Sequence, residues 1–298
     1  MKIDLQKILQ EITIMQREAA RIALFPGEHG LSTDLIVKER DFTTAVDRAI
    51  ENFQKAELKR VLPSAGFLGE ETGEESGNLK WVVDPIDGTS LYPRGEYYSN
   101  SIALVDGGAR KVLLSSVYQP ATARQFLRLE NEVWISEPVL QRDGKESLIE
   151  RVPRPSKSVD LKELLGCAFG TSKYYEAVPG LKKRLKGVFR KTRDPVLDRE
   201  YSLINARPGS GSSALFCCEI ADGRRHFAVL YFQKAWDLAG SVPYAREAGC
   251  IVECGQNGKL TGCDAEEQIA TAGRNTLINV GVFANGTIRD IVLSKFKP

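Results

Sequence analysis

The sequence predicts an α/β (α+β) fold made of two halves, and three observations support this prediction. Apolar residues between positions 3 and 24 recur at the spacing of an amphipathic helix and stop before Pro26. Short apolar or alternating segments between 101 and 135 are typical of a meander of antiparallel strands. Beyond residue 160, apolar strand-like segments alternate with helical patterns.

The polar stretch 136–160 is the predicted boundary between the halves. It is rich in charge and carries three prolines, which is typical of a connection between two folded units. We therefore assign residues 1–150 to an N-terminal α+β half and residues 151–298 to a C-terminal α/β half.

Within the first half, Thr43 or Thr44 is well placed to cap a second helix, whose apolar stripe begins at Val46. Residues 66–69 and 81–83 are short apolar strands. Because the link between these two strands is so short, we expect them to be neighbours in one sheet.

The second half is predicted to alternate between strands and helices. In order, its predicted elements are a strand at 164–169, a small-residue loop at 209–213, a helix at 214–220, a strand at 227–232, a helix beginning near Asp237, strands at 251–253 and 268–272, and a helix over 277–292.

Composition excludes several classes of function. The net charge of +2 in 298 residues does not indicate a globally basic protein, so nucleic acid is not an expected partner. No stretch reaches the roughly 18 consecutive apolar residues of a membrane span, and no secretory pattern follows Met1, so we expect a cytoplasmic protein. Only His29 and His226 are available for histidine-based catalysis or zinc binding, which directs the search to carboxylates.

The stretch from Trp81 to Thr89 carries the strongest chemical signal. An apolar strand leads into Asp84 and Asp87, which lie three residues apart on a turn that contains a proline. Gly88 allows the backbone to approach a ligand closely, and Thr89 adds a hydroxyl. Two hard oxygen ligands followed by exposed N–H groups suit Mg²⁺ and a phosphate.

Two further carboxylates are expected to join this turn. Glu70 follows the strand at 66–69, and Asp237 begins a helix. Four carboxylates that meet in one cleft would repel one another unless cations lay between them. The sequence therefore predicts two or three Mg²⁺ ions, in a site suited to phosphoryl transfer.

Simpler explanations exist for several of these residues. Asp47 and Asp237 both fit the role of helix-capping carboxylates. The segment Gly209–Ala214 formally matches a dinucleotide-binding pattern, but no good apolar strand precedes it. The basic run between Lys182 and Arg193 is best interpreted as a solvated surface, since no aromatic residues interleave with it.

Taken together, the motifs resemble the signatures of the inositol monophosphatase superfamily. They are, in order, Lys38 with Asp41, Thr44 and Asp47; Gly69–Glu71; Trp81–Thr89; Trp236–Gly240; and Glu247–Gly249. The resemblance implies a layered α-β-α-β-α sandwich of the inositol monophosphatase and fructose-1,6-bisphosphatase type. It also implies a homodimer that hydrolyses a small-molecule phosphate ester with Mg²⁺ and is sensitive to Li⁺.

The resemblance also implies roles for individual residues. The implied metal ligands are Glu70, Asp84, the Ile86 carbonyl, Asp87 and Asp237, most of which lie in the first half. Glu70 and Thr89 would act on the nucleophilic water, with Asp47 supporting Thr89. The residues expected to contact the substrate are Asp87, Gly88, Thr89 and Arg94, together with Gly211, Ser212 and Ser213 at the start of a helix.

The sequence departs from the inositol phosphatases where substrate is recognised. Leu91 and Tyr92 stand where those enzymes carry asparagine and phenylalanine, and Leu230 stands where they carry a glutamate that grips inositol hydroxyls. Leucine cannot accept a hydrogen bond from a hydroxyl group. By contrast, Pro93–Glu96 and Lys234–Asp237 resemble the branch that hydrolyses 3′(2′),5′-bisphosphate nucleotides.

Three functions therefore remain open at the level of the sequence. The first is an inositol monophosphatase-like enzyme, and the second is a bisphosphate nucleotidase-like enzyme with the same chemistry. The third, from a different class, is a regulatory protein that binds RNA or a transcription partner through the run from Lys182 to Arg193.

Overall fold

Two β-sheets with helices around and between them form the computed structural model of this protein. The structure describes residues 3–38, 42–95, 97–141, 145–158, 166–169, 190–194, 199–203, 211–256, 259–260 and 262–296. Asp41, Glu96 and residues 182–189 of the basic run lie outside these ranges.

The helices of the described residues are α1 (Leu5–Leu24), α2 (Ala45–Val61), α3 (Ser213–Ala221), α4 (Ala235–Ala239), α5 (Val242–Glu247), α6 (Ala265–Thr271) and α7 (Gly286–Phe296). Short 3₁₀ turns lie at Pro26–His29, Tyr92–Arg94 and Pro120–Thr122.

The first sheet has eight strands in the order β10-β9-β8-β7-β6-β5-β3-β4. Its strands are β3 (Gly66–Gly69), β4 (Gly73–Glu75), β5 (Leu79–Asp87), β6 (Ser99–Asp106), β7 (Lys111–Gln119), β8 (Arg124–Leu129), β9 (Glu132–Leu140) and β10 (Glu146–Arg151). A separate small ladder joins β1 (Ile36–Val37) to β2 (Phe42–Thr43). The predicted meander is confirmed by the antiparallel pairing from β5 through β10.

The second sheet has seven strands in the order β12-β13-β11-β14-β17-β15-β16. Its strands are β11 (Gly166–Phe169), β12 (Arg190–Asp194), β13 (Arg199–Leu203), β14 (Phe227–Gln233), β15 (Ile251–Gln256), β16 (Lys259–Leu260) and β17 (Ile278–Phe283). The first sheet thus draws its strands from residues 66–151 and the second from residues 166–283. Part of the stretch predicted as a boundary therefore forms the hairpin β9–β10.

The layers follow from which helices contact which sheet. Helices α1 and α2 pack on the outer face of the first sheet, through a core that includes Ile12 and Trp81. Helices α3 to α6 lie between the sheets and share one continuous apolar core with both. Helix α7 contacts β17 of the second sheet. None of the helices in the described ranges combines the length and the apolar character that crossing a bilayer requires.

Two predictions near the C-terminus are wrong. Residues 268–272, predicted as a strand, belong to helix α6, which Asp264 caps by accepting hydrogen bonds from the N–H groups of Glu266 and Glu267. The predicted helix over 277–292 is strand β17 followed by helix α7. Residues 278–283 are continuously buried, because helices α3, α6 and α7 pack against β17, and a strand buried on both faces shows no alternation.

A buried ionic network ties helix α3 to the first sheet. Asp222, directly after α3, is paired with Arg124 of β8 and Arg151 of β10, and Glu137 bridges the same two arginines. The Asp222 and Arg124 side chains are 2% and 5% exposed. Burial alone would raise the pKa of the Asp222 carboxyl, but Arg151 and Arg124 outweigh it and hold that pKa below its ordinary value.

We expect Asp222→Ala to lower the free energy of unfolding by about 3–5 kcal/mol, because it removes one of the two carboxylate partners of the buried Arg124 guanidinium and a partner of Arg151 as well. Arg224, which also pairs with Asp222, is 53% exposed, so Arg224→Ala should cost at most about 1 kcal/mol. Because the folded-state pKa of Asp222 is lowered, its stabilisation is present above the ordinary carboxyl pKa and is lost as the pH falls below it. Urea unfolding at pH 7 and pH 3 measures the free energy of unfolding of each variant and its dependence on pH. Equal losses of this free energy in Asp222→Ala and Arg224→Ala would contradict this interpretation.

Candidate active site

The ends of two parallel strands bring the first pair of acidic residues together. Strand β3 pairs in parallel with β5, with Gly69 opposite Val83, so the expectation that these strands are neighbours is confirmed. Glu70 and Asp84 directly follow this matched pair and therefore lie at the same edge of the sheet. The side chains of both are almost fully buried.

Strand β5 does not stop at Pro85 as predicted but continues to Asp87. Its ladder with β6 is nevertheless irregular between Asp84 and Asp87, since Pro85 has no N–H to donate. The side-chain amide of Asn100, on β6, fills this gap by donating to the carbonyls of Asp84 and Pro85, each at 3.1 Å. The turn is thus held by a side chain where the strand pairing fails.

Asp84 is the electrostatic centre of the site. It is 1% exposed, and its Oδ1 atom has no hydrogen-bond partner among the residues that the structure describes. Burial raises the pKa of the Asp84 carboxyl well above its ordinary value, and the negative charges of Glu70, Asp87, Asp237 and Asp47 raise it further. A carboxylate in this position is stable in its charged form only when a cation lies beside it.

Asp87 is held by the start of helix α3. Its Oδ2 accepts hydrogen bonds from the Ser212 hydroxyl at 2.6 Å and the Ala214 N–H at 2.6 Å, and its Oδ1 accepts one from the Ser213 N–H at 3.2 Å. A helix N-terminus favours a negative charge, so this arrangement stabilises Asp87 as a carboxylate. These hydrogen bonds also connect Asp87, in the first half of the chain, to helix α3 in the second half.

Asp47 combines the two roles that were considered for it. Its side chain accepts hydrogen bonds from the N–H and the hydroxyl of Thr44, which forms the capping box of helix α2. Its other oxygen lies 3.0 Å from the Thr89 hydroxyl, which is also 2.9 Å from the Ile86 carbonyl. Burial raises the pKa of Asp47 to about 6 despite these hydrogen bonds. The Thr89 hydroxyl proton therefore has two acceptors, and its oxygen faces the acidic turn.

Gly88 has a backbone angle φ of +99°, which disfavours any residue with a Cβ atom. A Cβ atom there would also lie 2.9 Å from the Tyr97 carbonyl oxygen and 3.2 Å from the backbone of Gly211. Gly88 therefore permits the close approach of the acidic turn to the loop before helix α3.

Asp237 lies in the first turn of helix α4, as predicted, and its carboxylate accepts a hydrogen bond from the Lys234 N–H at 2.7 Å. Lys38 approaches the site from the opposite side, with its ammonium 3.6 Å from Glu70 and in direct contact with Glu71. Arg94, on the 3₁₀ turn after the acidic stretch, is exposed.

The residues that depart from the inositol phosphatases have structural roles here. Leu230 is fully buried within β14, where it packs in the central core. The Tyr92 hydroxyl donates to the Ala23 carbonyl at 2.7 Å, and the Tyr92 ring packs edge-on against Tyr98. Leu91 packs against Gly211, where a Cβ atom would lie only 2.8 Å from the leucine side chain.

The donor set fits Mg²⁺, although the side chains do not form a complete cage. Among the described residues, no three His, Cys, Asp or Glu side chains are grouped closely enough to hold a metal ion as they stand. Two of the acids point toward backbone N–H groups, Asp87 toward helix α3 and Asp237 toward Lys234. Mg²⁺ usually takes only one or two carboxylates and completes its shell with water and phosphate, so hard oxygen donors around an unpartnered Asp84 oxygen suit it.

Comparison with known proteins agrees with this geometry. The model of the inositol monophosphatase family matches residues 6–287. The chain belongs to the inositol monophosphatase family. The resemblance inferred from the motifs is thereby confirmed, and the family is one of phosphomonoesterases.

Relatives of this family member carry several names. It is similar to the "Nus factor SuhB" of Xylella fastidiosa, with 32% identity over 83% of this chain and 82% of the relative. It is 30% identical to "Inositol monophosphatase 3" of Solanum lycopersicum, over 71% of this chain and 73% of the relative. It is 29% identical to the "Histidinol-phosphatase" of Mycobacterium tuberculosis, over 85% of this chain and 83% of the relative.

Solved structures confirm the fold of this inositol monophosphatase family member. The extragenic suppressor protein SuhB of Bartonella henselae superposes with a TM-score of 0.70 and 20% identity, covering 98% of each chain. The IMPase of Thermotoga maritima superposes with a TM-score of 0.66 and 20% identity, covering 97% of this chain and 96% of the other. The predicted layered α/β sandwich of the inositol monophosphatase type is therefore the fold of this protein.

The residues that hold the acidic segments in place through hydrogen bonds to their main chain were not identified from the sequence. Asn100 is paired amide to amide with Gln54 of helix α2, and Gln16 of α1 donates to the Asn100 carbonyl. Glu51 accepts hydrogen bonds from the N–H groups of Glu71 and Thr72, just after Glu70. The only signal in the sequence is a polar residue on an otherwise apolar helix face, which does not identify its partner.

We expect Asp84→Asn to raise the melting temperature of the metal-free protein at pH 8, because it removes a buried charge that faces other carboxylates. The folded-state pKa of Asp84 is raised, so its favourable contribution is present below the ordinary pKa of 3.8 and is lost as the pH rises above it. The gain of the variant over the wild type should therefore shrink at acidic pH.

Thermal unfolding in EDTA at pH 8 and pH 5, with and without Mg²⁺, tests this prediction. Mg²⁺ should stabilise the wild type and leave Asp84→Asn nearly unchanged. The matched control is Glu71→Gln, since Glu71 is already paired with Lys38 and Arg48. Equal Mg²⁺ responses in the wild type and Asp84→Asn would contradict the central role of Asp84.

Proposed function

We propose that this protein is a Mg²⁺-dependent phosphomonoesterase that hydrolyses a small phosphorylated metabolite. The observation that supports it most directly is the buried Asp84 carboxyl, whose pKa is raised by burial and by the charges of Glu70, Asp87 and Asp237 and whose Oδ1 has no hydrogen-bond partner in the described part of the chain. Such a concentration of negative charge is unfavourable in the fold itself and suits a site for divalent cations.

In this proposal the Mg²⁺ ligands are Glu70, Asp84, the Ile86 carbonyl, Asp87 and Asp237. When bound, Mg²⁺ would neutralise the carboxylates, draw in the phosphate and make a water molecule more acidic. The protein's own contribution is to place Glu70 and Asp84 side by side on neighbouring strands, with Asp87 at the end of β5 and Asp237 in the first turn of helix α4.

Thr89 and Asp47 supply the proton acceptor. Because the Thr89 hydroxyl donates toward Asp47 or the Ile86 carbonyl, the lone pairs of its oxygen remain available to orient an attacking water. We infer that Glu70, at the same edge, shares the task of accepting the proton from that water. Gly88 and Thr89, which directly follow the acidic segment, would hold phosphate oxygens with their N–H groups.

The substrate is a phosphate monoester. Its alcohol part is not bound through the glutamate that contacts inositol hydroxyls in the inositol phosphatases. Leu230 offers no polar atom and is buried in the core. Ser212 and Ser213, expected to contact substrate, also bond to Asp87, and the Ser213 hydroxyl donates to Gln233 at 2.6 Å. Arg94 is exposed beside the acidic turn and suits a second anionic group, which would favour the bisphosphate nucleotidase-like alternative.

We further infer a homodimer inhibited by Li⁺, which follows from the family rather than from this chain's own contacts. Size-exclusion chromatography with light scattering, and an assay with LiCl against NaCl at equal ionic strength, would test these two points.

We expect hydrolysis of small phosphate monoesters in the presence of Mg²⁺, and a loss of at least about 100-fold in kcat/KM for Thr89→Val, which removes the hydroxyl but keeps the volume. Thr89→Ser should retain much more activity, because it keeps the oxygen that faces Asp47. A panel of inositol, sugar, histidinol and 3′,5′-bisphosphate nucleotide substrates, with phosphate release as the readout, would identify the substrate. Inactivity on all of them with Mg²⁺ would overturn the proposed enzyme.

A second candidate function is regulation through RNA or a transcription partner, and one observation favours it. The relative from Xylella fastidiosa is named a Nus factor, at 32% identity. The run from Lys182 to Arg193 would be the contact surface. RNA binding that persists in Asp84→Asn and disappears when Lys182, Lys183 and Arg184 are changed to Ala would support this function, whereas equal binding by all variants would reject that surface.

A further inference from the structure

Arg274 joins the loop between α6 and β17 to the segment that carries Glu70. Its two terminal guanidinium nitrogens donate to consecutive main-chain carbonyls, Nη1 to Gly69 at 2.8 Å and Nη2 to Glu70 at 2.9 Å. A planar guanidinium is well suited to hold two acceptors at once. The end of β3 is thus fixed by a residue from the second half of the chain.

The same residue is also bonded to the segment that carries Asp237. The Lys234 ammonium donates to the Arg274 carbonyl at 2.8 Å, and the Lys234 N–H donates to the Asp237 carboxylate at 2.7 Å. The Arg274 guanidinium and the Lys234 ammonium each lie 5.7 Å from the centre of the Trp236 ring. Arg274 therefore contacts both segments, each within three residues of a proposed Mg²⁺ ligand.

Glu70 follows strand β3 in the first half of the chain and Asp237 lies in helix α4 of the second half, so their separation depends on how the two halves are held together. We propose that Arg274 is a positioning residue for the Mg²⁺ site, which sets the spacing between Glu70 and Asp237 by bonding both segments. This inference rests on the proposed function only in requiring that the site bind Mg²⁺.

The alternative is that Arg274 merely docks a surface loop, and the chain offers a matched control for it. Lys80, on β5, docks the same loop on the same side, since its ammonium lies 3.1 Å from the Ala272 carbonyl and 3.0 Å from Glu74. Glu74 in turn accepts a hydrogen bond from the Arg274 N–H at 3.1 Å. Within the described ranges, the Lys80 side chain contacts Glu74 and Ala272, and neither contact involves the main chain of Glu70 or the start of helix α4.

The test compares Arg274→Ala, Arg274→Lys and Lys80→Met with the wild type. Two quantities are measured: the Mg²⁺ concentration at half of the Mg²⁺-induced rise in melting temperature, and the melting temperature in EDTA. For Arg274→Ala we expect the half-saturating Mg²⁺ concentration to rise about 10- to 100-fold, as when an outer-shell partner of a metal ligand is lost. For Lys80→Met the half-saturating Mg²⁺ concentration should stay within about 2-fold of the wild-type value. We expect this difference even if both variants have the same lowered melting temperature in EDTA.

Arg274→Lys keeps the charge but cannot donate to two carbonyls as a rigid fork, so it should lie close to Arg274→Ala. If Arg274→Ala does not fold, Arg274→Lys and Lys80→Met provide the same comparison. Equal shifts in the Arg274 and Lys80 variants, or no shift in either, would overturn the positioning role. A wild type with no Mg²⁺ response at all would instead reject the proposed Mg²⁺ site itself.

Discussion

The repulsion between buried carboxylates around Asp84 is the constraint on which the rest of the site depends. Asp84 has no exposure through which water could screen its charge, and Glu70, Asp87 and Asp237 all raise its pKa. Such an unfavourable buried charge is explained if it serves a function, and this arrangement suits a site for divalent cations. The charge is therefore unfavourable for the metal-free protein and useful to a phosphatase, which is a common relation between stability and activity.

The acidic residues are held in place against their mutual repulsion mainly by hydrogen bonds to the main chain beside them. Asn100 holds the carbonyls of Asp84 and Pro85, and Arg274 holds those of Gly69 and Glu70. The start of helix α3 holds Asp87 directly. These supports come from β6, from the loop before β17 and from α3, so the site is assembled only when both halves of the chain have folded. The strand pairing of β3 with β5 places Glu70 beside Asp84, whereas the position of Asp237 depends on helix α4 of the second half.

How much could be predicted from the sequence depended on how local each signal was. The capping box of Thr44 and Asp47 and the meander are encoded by neighbouring residues, and their prediction was correct. Strand β17 was mistaken for a helix because a strand buried on both faces has no period to read. The roles of Asn100 and Arg274 could not be predicted at all, because each depends on main-chain atoms that are distant in sequence. The identity of the substrate stays a proposal, since the buried Leu230 indicates only that no side chain at this position accepts a hydrogen bond from an inositol hydroxyl.

The central claim is that the acids around Asp84 form a divalent-cation site, and the most direct measurement is a crystal structure of the protein soaked with Mn²⁺, with anomalous diffraction to locate the ion. The account predicts anomalous density in contact with Asp84 and at least one of Glu70, Asp87 and Asp237, with Asp87 or Asp237 turned from its backbone partner toward the ion. Full Mn²⁺ occupancy elsewhere, with Asp84 left without an ion, would contradict it.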